Sequence, residues 1–104
     1  MSDIQRSSPR AYNVVEVDCH TLDETATPVA VRMSDLSTTG AFLDSMAGLR
    51  AGTRLSLRFM VGEQEVKATA EVVHTMPQFG MGVRFLEVSP EGRAAIERLL
   101  QEQG

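Results

Sequence analysis

Two arginines, Arg6 and Arg10, stand four positions apart near the start of the chain. A guanidinium carries its N–H donors in a planar fork that matches phosphate oxygens and the O6 and N7 acceptors of guanine. Ser7-Ser8-Pro9 lies between the two arginines, and proline disfavours a helix through and just before it. The pair is therefore predicted on an extended, mobile arm, residues 1–11, able to close on one anion from two directions. Further on comes Asp35-Leu36-Ser37-Thr38-Thr39-Gly40, read as a loop between two strands. An ionised carboxylate only accepts hydrogen bonds, so Asp35 could receive the N–H donors of a guanine edge. Ser37 could donate or accept beside it, and Gly40 would let the backbone approach a flat ligand. Each segment taken singly has an ordinary reading too. Arginines near a terminus are often simply solvated, and aspartate, serine and glycine all stabilise turns.

Other chemistry finds less support. Cys19 is the single cysteine and there are two histidines, His20 and His74, so no metal-ligand spacing is present. Cys19 sits in an apolar–polar alternation and reads as a small core residue. A single cysteine permits no internal disulfide, which fits a cytoplasmic protein. Asp35, Ser37 and His74 could be imagined as a hydrolytic triad. No strained nucleophile turn of the G-x-S-x-G kind accompanies them, and the chain is not expected to be an enzyme. Net charge is −4 and aromatic residues make up 5%, whereas a binder of single-stranded nucleic acid wants a basic groove and stacking rings. A nucleic-acid polymer is thus not an expected partner. No apolar run approaches the roughly 18–20 residues of a membrane span, and the polar start, Met1 to Arg6, lacks the apolar core of a secretion signal. Nine arginines against one lysine, Lys67, is read as compositional bias.

The elements that must position these residues are mostly strands. The 104 residues suffice for one domain. Val15, Val17 and Cys19 alternate with polar residues, as do Val29, Val31 and Met33. A short strand, Ala41-Phe42-Leu43, follows Gly40. Leu55, Leu57, Phe59 and Val61 give the clearest apolar face. Gly62-Glu63 reads as a hairpin turn, with Val66, Ala68, Ala70 and Val72 on the return strand. Met76-Pro77-Gln78 breaks the pattern, and Met81, Val83 and Phe85 make the last strand, where Gly80 and Gly82 permit close backbone approach or a bulge. Ser89 is a good N-cap with Pro90 behind it. Ala95, Ile96, Leu99 and Leu100 then share one face of a helix over residues 90–102. About six short strands without intervening helices predict an all-β fold with one C-terminal helix: a six-stranded antiparallel barrel, residues 12–104, whose helix covers an open end or side.

Taken together, R-x-x-x-R in an N-terminal arm, D-x-S-x-x-G about two strands later, and Gly80-Met81-Gly82-Val83-Arg84-Phe85 leading into an amphipathic helix resemble the PilZ domain family. The resemblance runs from Arg6 to Leu100. It implies a six-stranded antiparallel barrel with a C-terminal helix and a bacterial receptor for cyclic di-GMP, with no cofactor beyond that ligand. Arg6 and Arg10 match the arginines that grip phosphates and guanine edges, and Asp35, Ser37 and Gly40 match the loop that contacts a guanine base. Where many members carry another arginine just before the motif, this chain has Gln5, which leaves ligand stoichiometry open between one molecule and a stacked pair. Tyr12 or His74 is a candidate ring to stack on the base. Binding is expected to order the arm and present a changed surface to an unidentified effector protein. The alternative is a PilZ-like adaptor that works through protein contacts without nucleotide.

Overall fold

A computed structural model describes residues 15–103. Six strands, β1 (Val15–Thr21), β2 (Val31–Leu36), β3 (Gly40–Asp44), β4 (Arg54–Val61), β5 (Gln64–Met76) and β6 (Gly80–Val88), are followed by helix α1 (Pro90–Gln103). All strand pairs are antiparallel and close a barrel in the order β1-β2-β3-β6-β5-β4. This is the fold the alternation predicts. The arm expected over residues 1–11, with Arg6 and Arg10, and Tyr12 after it, lie outside the described residues.

The inward positions are those the period-two pattern marks. Leu55, Leu57, Phe59, Val66, Ala70, Val72, Met81 and Val83 are buried in one cluster with Met33 and Leu43. The tight connections follow from glycine. Gly52, at φ 94°, closes the turn from Arg50, whose carbonyl accepts from Thr53 N at 3.1 Å. Gly62, at φ 62°, makes the two-residue link between β4 and β5. The β5–β6 turn is less usual. Met76 O accepts from Phe79 N at 3.0 Å, and Gln78 takes φ 70°, a left-handed conformation that a non-glycine residue adopts at a cost of about 1–2 kcal/mol. Phe79 O accepts from Ser45 N at 3.1 Å, and Phe79 is exposed, as are Met46 and Met76.

Helix α1 packs on β5 and β4. Ser89 caps it, its Oγ accepting from Gly92 N at 3.2 Å. Gly92 is needed where the helix meets the barrel, because a Cβ there would lie 2.8 Å from Val66 Cγ1. Ile96 and Leu100 enter the core, Ala95 is buried and Leu99 packs at its margin.

Cys19 faces inward and is 6% exposed, and burial pushes its thiol up to about 11. The thiol should therefore resist iodoacetamide at pH 8 in the folded protein and react at the rate of a free cysteine in denaturant. Fast labelling of the native chain would contradict this placement. Because the folded thiol holds its proton longer than the unfolded one, this group's contribution to stability is complete below about pH 9 and is lost as pH rises towards 11.

Candidate functional site

Asp35 was expected on a loop, but it and Leu36 are the last two residues of β2. Simple alternation from Met33 would point Asp35 into the barrel. A bulge between Met33 and Asp35 reverses the parity: Met33 pairs with Leu43 and Asp35 with Phe42, so Ser34 is the extra residue. Ser34 Oγ donates to Asp44 Oδ1 at 2.8 Å and ties the bulge to β3. The result is that Leu36 is buried while Asp35, partly buried, shares the outer row with Phe42.

A second bulge does the same on β5. Val72 pairs with Val83 and His74 with Gly82, so Val73 is extra and His74, exposed, turns outward. Phe42 also pairs with Gly82. One outer row thus runs Asp35, Phe42, Gly82, His74 across β2, β3, β6 and β5. Glycine makes the row possible. A Cβ on Gly82 would lie 2.3 Å from His74 Cε1, and one on Gly80 would lie 2.7 Å from Phe42 Cε2. The two rings stand 6.4 Å apart between centroids, tilted by 38°. They flank the glycine floor of β6 and give a flat ligand apolar surfaces beside a carboxylate.

Ser37 and Gly40 shape the turn between β2 and β3. Ser37 is 8% exposed. Its backbone N donates to Gly40 O at 2.9 Å, and its Oγ accepts from the backbone N of Thr39 and of Gly40, both at 3.3 Å. This is the local side-chain bonding by which serine braces a turn. Gly40 lies against β6, where an added Cβ would stand 2.1 Å from Val83 O. Thr39 O accepts from Phe85 N at 2.9 Å, so the turn is pinned to β6 as well.

Beside this turn runs a second outer row, in which Gly40 pairs with Arg84, Arg84 with Glu71 and Glu71 with Arg54. Arg84 Nη2 donates to Glu71 Oε1 at 2.9 Å. Neither Phe42 nor Arg84 is singled out by sequence reasoning. The former reads only as part of a short apolar strand, and the latter's position depends on pairing between distant segments.

The structure brings Asp35, Ser37 and Gly40 together and places His74 on the same face as Asp35. It does not assemble a triad. Three strand spacings of about 4.8 Å each separate β2 from β5, and Phe42 and Gly82 stand in between. Ser37 Oγ is engaged within its own turn. Among the described residues no three histidine, cysteine or acidic side chains gather as metal ligands. Of the described helices, none is long and apolar enough to cross a membrane.

The described residues thus form a closed barrel with one helix packed on β5 and β4 and an outer row of Asp35, Phe42, Gly82 and His74. The PilZ domain model matches residues 4–102, and the chain belongs to that family. Two solved structures share the fold. The PilZ domain of CeSA from a cellulose-synthesizing bacterium is 19% identical, with 92% of this chain and 98% of that one covered and a TM-score of 0.67. The PilZ domain of YcgR from Escherichia coli, solved with c-di-GMP, is 18% identical, with 88% of each chain covered and a TM-score of 0.62. Comparison with curated protein sequences yields no match.

Proposed function

We propose that this chain is a cytoplasmic, non-enzymatic receptor for cyclic di-GMP, with Asp35 reading a guanine and Arg6 and Arg10 closing over the ligand. The observation that carries this reading is where the arm joins the barrel. Val15 pairs with Met33, two positions before Asp35. At about 3.3–3.6 Å per residue, a fully extended chain would span about 17 Å from Val15 to position 10 and about 30 Å to position 6, against overall extents of 38 × 29 × 19 Å. Both guanidinium groups can therefore reach the outer row that carries Asp35. The c-di-GMP held by the similar YcgR domain supports the choice of ligand.

In this arrangement Asp35 accepts the guanine N–H donors, His74 or Phe42 offers a face for the base, and Ser37 positions the turn. The two arm arginines take phosphate oxygens and the O6 and N7 acceptors. Ordering residues 1–11 costs about 1–2 kcal/mol per residue in backbone freedom, which holds affinity to a moderate value. The arm folded over the barrel is then the surface an effector protein reads. The adaptor reading draws on exposed Met46, Met76 and Phe79, and one measurement separates the two. Calorimetric titration should show saturable binding of cyclic di-GMP to the wild type, weakened at least tenfold in Arg10→Ala. A wild type that takes up no ligand would leave the adaptor.

A further inference from the structure

We propose that Arg84 is a third arginine of the ligand site, held by Glu71 in the free protein and transferred to a phosphodiester of the ligand on binding. The proposal rests on the cyclic di-GMP reading above. Arg84 stands directly across from Gly40 on the outer face. Gly40 has no side chain to separate the turn's backbone from the arginine, and the bond from Phe85 N to Thr39 O fixes the turn one residue away. The Arg84 side chain is 57% exposed. One of its donors is given to Glu71, and a guanidinium has five. An anion arriving over the Asp35–Gly40 turn therefore finds a cation already at its margin.

Glu71 makes the transfer inexpensive. By register it lies between Arg84 and Arg54, so the row holds two cations and one anion and carries a surplus positive charge in a chain of net charge −4. If Arg84 leaves, Arg54 remains beside the carboxylate. The Glu71 side chain is 26% exposed, and an ion pair still open to solvent on its arginine side adds only modestly to stability, so its exchange for a doubly charged ligand is favoured. Glu71 in this view competes with the ligand.

The test is calorimetric titration of cyclic di-GMP into the full chain as wild type, Arg84→Ala, Glu71→Gln and the double variant, with thermal melts of each. Arg84→Ala should weaken binding about tenfold, the effect of one charge-assisted contact. Glu71→Gln should tighten binding, and should lose that effect when Arg84 is absent. Wild-type binding with an unchanged constant in Arg84→Ala would overturn the role of Arg84 alone. So would weaker binding in Glu71→Gln with its fold intact. Absence of binding to the wild type would remove the ligand reading and this proposal with it.

Discussion

Replacing Gly40 with alanine should destabilise the fold by about 3 kcal/mol. The added Cβ would meet backbone only, standing 2.1 Å from Val83 O, 3.2 Å from Val83 C and 3.3 Å from Arg84 Cα. No rotamer change can relieve that clash. Either β3 parts from β6, or the turn shifts and breaks the bond from Phe85 N to Thr39 O. Overpacking typically costs about 1–3 kcal/mol, and each lost hydrogen bond adds about 1 kcal/mol. In a domain of this size the melting temperature should fall by about 12–20 °C. Ligand affinity should fall as well, because the same shift moves Ser37. Gly48→Ala is the control, since a Cβ there meets nothing within 4 Å. Equal stability of the two variants would refute the close approach of β3 and β6.

Replacing Asp35 with alanine should do the reverse, leaving the fold intact while reducing cyclic di-GMP affinity about a hundredfold. A carboxylate facing a guanine accepts two donors, each bond to a charged group being worth about 1.5–3 kcal/mol, and 1.4 kcal/mol is a factor of ten in affinity. Asp35→Asn is the sharper variant. It preserves shape and keeps Oδ1 as one acceptor while turning the other atom into a donor, so it should bind better than alanine and worse than the wild type. Titration and a thermal melt check both halves. A normal constant in Asp35→Ala would remove this residue from the ligand site.

The contrast between these two variants reflects what a sequence exposes. Leu55, Leu57, Phe59 and Val61 announce their strand by strict alternation, and Ser89 with Pro90 announces the helix, because both signals are local. The inner lining of the barrel was legible for the same reason. The bulges were not, although one left a trace: the apolar spacing of two through Val29, Val31 and Met33 becomes three at Leu36. That slip is what turns Asp35 outward. The residue type at Ser37 suits a ligand donor and a turn brace equally, and only the bonds to Thr39 and Gly40 distinguish them. Phe42, Gly82 and His74 become neighbours only when β3, β6 and β5 pair, and nothing within any one segment encodes that register.

Barrel closure has a consequence for how another protein could recognise this domain. Among the described residues each of the six strands pairs with a neighbour on both sides, so no strand offers a full-length edge on which a visiting strand could continue the ladder. Recognition by adding a strand along a whole edge of the sheet is therefore disfavoured. A protein that docks on the barrel then reads chiefly side chains and their charges, and a bound anion that rearranges Arg84, Glu71 and Arg54 would alter that pattern directly.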